Sequence, residues 1–130
     1  MWTNGKAIFA SGSPFDPVWV NGKQHSTSQG NNAYIFPGVG LGLISCGVKF
    51  ATDEMFLAAA KALAHEVSDT DLEKGLLYPP FSRVRDVSAV IAAAVANVAY
   101  QRGLARKPMP DDLLTSIRSQ IFEARYQNYV

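Results

Sequence analysis

Two adjacent carboxamides, Asn31 and Asn32, stand at the head of an apolar, glycine-stepped segment that runs Ala33-Tyr34-Ile35-Phe36-Pro37-Gly38-Val39-Gly40-Leu41-Gly42. Asparagine is a good helix N-cap, and a helix start gathers unpaired N–H groups and partial positive charge. Such an end can hold a carboxylate or phosphate, and two amides beside it add neutral donors for the same anion. The plain alternative is an ordinary capped core helix, and spacing alone does not separate the two. A second candidate is Ser11-Gly12-Ser13, which closes the apolar run Lys6-Ala7-Ile8-Phe9-Ala10. In open α/β sheets, ligands lie at the carboxyl ends of strands, and small residues there allow close approach to the backbone. A plain turn accounts for these three residues equally well.

The remaining reactive side chains do not assemble into a catalytic set. Cys46 sits in an apolar run with nothing beside it to lower its pKa, so it reads as a buried inert thiol. His25 has no partner carboxylate nearby, and Asp69, Asp71 and Glu73 form a polar turn that does not resemble a calcium loop. Lys6 and Lys23 lie outside any apolar pocket that would make them basic catalysts. The glycines at 38, 40 and 42 have G-x-G-x-G spacing, which differs from the dinucleotide fingerprint G-x-G-x-x-G. Acidic residues otherwise lie mainly at helix starts (Asp53, Glu54, Asp111, Asp112), where capping explains them.

Composition bounds the class. A chain of 130 residues with 48% hydrophobic and 18% charged residues is a single domain or part of a larger one, and too apolar to be a disordered tail. A net charge of +1 gives no electrostatic case for nucleic acid or for an anionic membrane. The single cysteine allows no internal disulfide and fits a reducing compartment; the expected location is cytoplasmic, with an organelle as the alternative. The start Met1-Trp2-Thr3-Asn4-Gly5-Lys6 lacks the apolar core of a signal peptide, and the apolar run within Ala89–Ala96 is too short to span a bilayer.

The elements that would position these residues can be read in order. Lys6–Ala10 is expected to be a strand covered on both faces, as in a parallel sheet. Asn21-Gly22 between Val18-Trp19-Val20 and Lys23-Gln24-His25-Ser26 predicts a hairpin. A helix is expected from about Asn32 to about Cys46, with Pro37 tolerated near its first turn and Gly38 and Gly42 leaving one face bare for close packing. Thr52 should cap the next helix, whose apolar stripe reads Phe56, Ala59, Ala60, Leu63 and Val67. A short helical turn over Ser68–Glu73 ends at Gly75, and Leu76–Phe81 is an extended connector. Ser82 is expected to cap the longest helix, Arg83 to Arg102, with Val84, Val87, Ile91, Ala94, Val95 and Val98 on its period and Gly103 as its stop. A last helix begins at Asp111-Asp112 and turns Leu113, Leu114, Ile117 and Ile121 inward. The terminal Tyr126 and Tyr129 are expected to dock onto something. The fold class is therefore α/β and helix-rich, with one short parallel-type strand, a small hairpin and four main helices.

Several stretches together carry a specific likeness. Gly5–Val18, which contains Phe9-Ala10-Ser11-Gly12-Ser13-Pro14-Phe15-Asp16-Pro17, and Gln29–Gly42 resemble the C-terminal portion of malic enzymes. Asp53-Glu54-Met55, Ala59–Leu63, Gly75-Leu76-Leu77-Tyr78-Pro79-Pro80 and Tyr126-Gln127-Asn128-Tyr129 continue the likeness over nearly the whole chain. The resemblance implies the C-terminal part of a Rossmann-like dinucleotide-binding domain. Residues 1–50 would close that domain and carry a substrate-contact loop, and residues 51–130 would form a C-terminal helical region. It implies oxidative decarboxylation of malate to pyruvate with NAD or NADP and a divalent metal, Mg or Mn. It assigns Asn31 or Asn32, Asn31 in the first place, to the malate carboxylate, and Ser11 and Gly12 to the nicotinamide side of the cleft.

The family's general-acid tyrosine, general-base lysine, three acidic metal ligands and glycine fingerprint map to no residue here. The expected partners are therefore malate or pyruvate and the rest of a malic enzyme chain, in a homo-oligomer, and the isolated chain is expected to be inactive. Half of a parallel sheet would leave an edge and apolar faces open, so self-association over the first strand and the Gly38/Gly42 face is expected as well. One departure is visible: Thr27-Ser28 stand where many members have Pro-Gly. A non-catalytic interaction module, or a nucleotide-binding module derived from the family, is the alternative.

Overall fold

Gly38 and Gly42 lie one helical turn apart on α1 (Phe36–Cys46), and the long helix α4 (Val84–Gln101) packs directly against them. A Cβ at Gly38 would come within 2.6 Å of the Ile91 side chain, and one at Gly42 within 2.7 Å of the Ala92 carbonyl oxygen. Only hydrogen at those two positions allows the helices to approach so closely. The structure, a computed structural model, describes residues 3–4 and 6–126.

α4 is the centre of the core. Its Val87, Ala89, Ile91, Ala92, Val95, Ala96 and Ala99 are fully buried, which its alanine content anticipates. α2 (Asp53–His65) packs along α4 with Met55, Ala59 and Leu63 buried, and α5 (Leu113–Arg118) contributes Ile117. The short α3 (Asp69–Glu73) buries no residue. No helix among the described residues is long and apolar enough to cross a membrane.

Most helix ends follow the expected chemistry. The Thr52 hydroxyl accepts the Met55 N–H at 3.3 Å, and α1 starts at Phe36, so Pro37 falls in the first turn, where its missing N–H costs nothing. Gly75 and Gly103 follow α3 and α4 with φ of 81° and 66°, a conformation that favours glycine.

Several expectations need correction. Ser82 does not cap α4: the chain leaves Pro80 extended, passes through a 3-10 turn at Phe81–Arg83, and enters the helix from Arg83 with no side-chain cap. The buried stripe of α2 includes Met55, whereas Phe56 and Ala60 are exposed, because the helix is rotated to set Met55, Ala59 and Leu63 against α4.

Among the described residues, four short strands precede the helices. β1 (Ala10–Ser11) pairs in parallel with β4 (Ser28–Gln29). β2 (Val18–Val20) and β3 (Lys23–His25) form the expected hairpin, with both turn residues left-handed, Asn21 at φ 51° and Gly22 at φ 74°. The first strand is shorter than expected, and it is not covered on both faces: Ile8 and Phe9 are 62% and 51% exposed. The main helices pack on α4 and not on β1, so this two-stranded piece lacks the helical layers that bury a parallel sheet. The Gly38/Gly42 face, by contrast, is already filled by α4 and is not open to another molecule. Tyr126 is fully exposed and docks onto nothing among the described residues, and Tyr129 lies outside them.

Cys46 is fully buried near the end of α1, where its thiol donates to the Gly42 carbonyl at 3.0 Å and burial pushes its pKa up. In the folded chain it should resist an aromatic disulfide reagent at neutral pH and react fully only after denaturation. Rapid stoichiometric labelling of the native protein would contradict that burial.

Candidate functional site

The parallel pairing of β1 and β4 aligns Ala10 with Ser28 and Ser11 with Gln29, so both strands end at the same edge. Gly12 continues from the first strand, and Gly30-Asn31 continues from the other. The Gly30 N–H donates to the Ser11 carbonyl at 2.7 Å, which extends the ladder one step beyond the strands. The Gly12 carbonyl then accepts two side-chain amides, Gln29 Nε2 at 3.3 Å and Asn31 Nδ2 at 3.4 Å. Ser11-Gly12 and Asn31-Asn32, two candidate pairs well separated in sequence, thus meet at the carboxyl ends of neighbouring parallel strands. This is where open α/β sheets place their ligands.

The local structure orients the Asn31 amide. Asn31 has extended backbone (φ −89°, ψ 141°), and its Oδ1 accepts the Ala33 N–H at 2.9 Å, capping a 3-10 turn at Asn32–Tyr34. It does not cap α1, which begins at Phe36 from Ile35 without any side-chain cap. The expected helix-end field is therefore weak at Asn31, because a single 3-10 turn has almost no macrodipole. What remains is the amide itself. With its oxygen committed to the backbone and one NH2 hydrogen directed at the Gly12 carbonyl, the amide keeps one further N–H, a donor of the polarity that a carboxylate needs. Asn32 is exposed beside it.

Asn31 and Asn32 border a cavity of about 350 Å³, with Gly30 and Tyr78 beside them and Ala60, Leu63 and Ala64 of α2 opposite; Ser11 and Gly12 do not line it. No carboxylate lines it among the described residues, so nothing there repels an anion. A larger depression of about 680 Å³ lies elsewhere, between the hairpin, residues 6–9 and Leu72–Gly75. It contains none of the four candidate residues and is the surface left open by a strand with one partner. Ser11 is partly buried, Gly12 is exposed, and the space where a Gly12 Cβ would point is empty to 4 Å. That open backbone at a strand terminus fits the flank of a nucleotide. The described residues contain no cluster of three or more His, Cys, Asp or Glu side chains that could hold a metal ion, so they do not fit a metal site.

Three residues behind the site were not singled out by sequence reasoning. Ser28 is buried, and its Oγ accepts the Leu77 N–H at 2.6 Å. Tyr34 is buried, and its hydroxyl donates to the Pro79 carbonyl at 2.6 Å; burial raises its pKa, so it remains a donor. Tyr78 stacks on Tyr34 with ring centroids 5.5 Å apart. The one available signal was the departure at Thr27-Ser28. Both side chains are used, since the Thr27 hydroxyl donates to the Phe15 carbonyl at 2.6 Å.

Residues 1–100 match the family model described as "Malic enzyme, NAD binding domain". The chain is 54% identical over 129 residues to an NADP-dependent malic enzyme of Vitis vinifera, covering 98% of this chain and 22% of the relative. It is 53% identical to NADP-dependent malic enzyme 1 of Arabidopsis thaliana, with the same coverage, and 52% identical to a chloroplastic NADP-dependent malic enzyme of Flaveria pringlei, of which it covers 20%. The chain thus spans about a fifth of the length of these curated relatives.

Proposed function

The chain belongs to the malic enzyme family, in its Rossmann-like NAD-binding domain, and we propose that it forms the C-terminal flank of the malate cleft in such an enzyme. The overall reaction is oxidation and decarboxylation of malate to pyruvate. NADP is the first expectation for the nucleotide, since the relatives are named NADP-dependent. In this reading residues 1–50 carry the contact loop, and residues 51–130 form the helical support behind it.

Asn31 donates from Nδ2 to a malate carboxylate oxygen, and Asn32 supplies a second neutral donor. Ser11 and Gly12 line the nicotinamide side, where the absence of a Gly12 side chain leaves backbone within reach of the ring. The chemistry supplied by the bound nucleotide is hydride acceptance, and the role of this chain is to bind and orient. Its described residues offer no donor set for a metal. The exposed Ile8, Phe9, Val18 and Trp19 fit contact with the remainder of the enzyme or with a second copy in a homo-oligomer.

The reading rests on one observation: the Gly12 carbonyl is bridged by the Gln29 and Asn31 amides where β1 and β4 end together. A charge-assisted hydrogen bond contributes about 1.5–3 kcal/mol, so Asn31→Ala in the complete enzyme carrying this chain should raise the KM for malate by roughly 10-fold to 100-fold. The KM for the nucleotide should stay within about twofold, because only the carboxylate contact is lost. The 130-residue chain alone should reduce no nucleotide when given malate and divalent metal. An unchanged malate KM in Asn31→Ala, or turnover by the isolated chain, would count against the assignment.

A further inference from the structure

The turn that carries Asn31 is held from behind by a second segment of chain, and the contacts come in a definite order. The extended connector from Leu77 to Pro80 is fastened at two points, by the Leu77 N–H donating to the Ser28 Oγ and by the Tyr34 hydroxyl donating to the Pro79 carbonyl, each at 2.6 Å. Ser28 lies two residues before Gly30, and Tyr34 three residues after Asn31, so the fastenings bracket the contact loop. Between them stands Tyr78. Its ring stacks on Tyr34, and its hydroxyl end lies 3.3 Å from where a Gly30 Cβ would be. Phe81 closes the far side with an edge-to-face contact on Tyr34 at 5.7 Å. Ser28 and Tyr34 are both buried, with relative exposures of 3%, so water does not replace these bonds cheaply.

A loop held only by β4 on one side and a single 3-10 turn on the other would pivot about Gly30, which has no side chain to stop it. The Tyr78 ring is the stop. We propose that Ser28 and Tyr34 are positioning residues for malate binding: by clamping Tyr78 against Gly30 they fix the direction in which the Asn31 amide presents its donors. Ser28 matters particularly because its hydroxyl oxygen is the acceptor that holds the Leu77 N–H. The inference rests on the assignment of Asn31 to the malate carboxylate.

The test is a double-mutant cycle in the complete enzyme carrying this chain. Tyr34→Phe and Ser28→Gly each remove one fastening and keep the rest of the loop. Small misplacement of a binding group costs up to about 100-fold in rate, so each substitution should raise the malate KM by about threefold to tenfold. The kcat at saturating malate and the nucleotide KM should move by less than about twofold. In an Asn31→Ala background neither substitution should raise the malate KM further, because the group being positioned is gone. Ser28→Thr retains a hydroxyl and should restore part of the lost affinity.

A malate KM unchanged by either substitution, with Asn31→Ala still raising it, would overturn the positioning role and leave the Asn31 assignment standing. The same fold increase in both backgrounds would also overturn it, since that marks general structural damage. If Asn31→Ala itself has no effect on malate, both inferences fail together. The two fastenings are far enough apart that failure of one variant to fold leaves the other to decide.

Discussion

Replacing Gly42 with alanine should loosen the core although it improves the helix. The added methyl would stand 2.7 Å from the Ala92 carbonyl oxygen, 2.9 Å from the Val95 Cβ and 3.0 Å from its Cγ1. The first of these atoms is backbone in the middle of α4, and the second is fixed to that backbone, so neither can rotate away. α1 and α4 must therefore separate, and α4 also carries α2 on another face. Overpacking of this kind costs about 1–3 kcal/mol, and the gain in helix propensity on replacing glycine by alanine is at most about 1 kcal/mol. Steric cost wins, for a net loss of roughly 1–2 kcal/mol. Gly40 is the internal control: it lies on the same helix with nothing within 4 Å of its would-be Cβ, so Gly40→Ala keeps only the propensity gain. Urea unfolding should move the midpoint down for Gly42→Ala and up for Gly40→Ala. Equal midpoints would show that α1 and α4 are not in the contact described.

Asn31→Asp is expected to abolish most malate affinity while leaving the fold almost untouched. Aspartate is nearly isosteric and caps as well as asparagine, so the bond to the Ala33 N–H is kept and stability should change by less than about 0.5 kcal/mol. The other end of the group changes sign. An NH2 donor becomes a carboxylate oxygen, which loses the contact to the Gly12 carbonyl and faces the substrate's own negative charge. The lost charge-assisted hydrogen bond contributes about 1.5–3 kcal/mol, and two like charges about 4 Å apart near a protein surface add between about 1 and 4 kcal/mol. The malate KM should therefore rise by about 100-fold or more, a larger effect than truncation to alanine. Asn32→Asp places its charge on an exposed residue, where screening by water is stronger, and its effect should be smaller.

The helices were legible because their signals are local. Thr52, Gly75 and Gly103 act within a turn of their own position, and the i, i+4 glycines of α1 announce a close neighbour without naming α4. The hairpin was legible from Asn21-Gly22 for the same reason. The first strand was misjudged because an apolar run reports what a strand is built to meet, and within these residues its only partner is β4. Ser82 does not cap α4 because the prolines ahead of it set the chain's entry through a 3-10 turn at Phe81–Arg83, and neither that turn nor α4 has a side-chain cap. At the site, the two residue pairs were readable as chemistry. Their meeting depends on a parallel pairing that local sequence does not encode. The fastenings at Ser28 and Tyr34 were illegible, since a serine and a tyrosine 49 and 45 residues from their partners carry no periodic signal.

The most direct test is the equilibrium dissociation constant of malate at saturating reduced nucleotide, which cannot accept a hydride and so allows no turnover, measured by calorimetry on the complete enzyme carrying this chain, for the native sequence and for Asn31→Asp. The expected result is binding weakened about 100-fold or more, with the nucleotide constant and the thermal midpoint unchanged. Equal malate constants for the two proteins would show that the Asn31 amide does not meet the substrate's carboxylate.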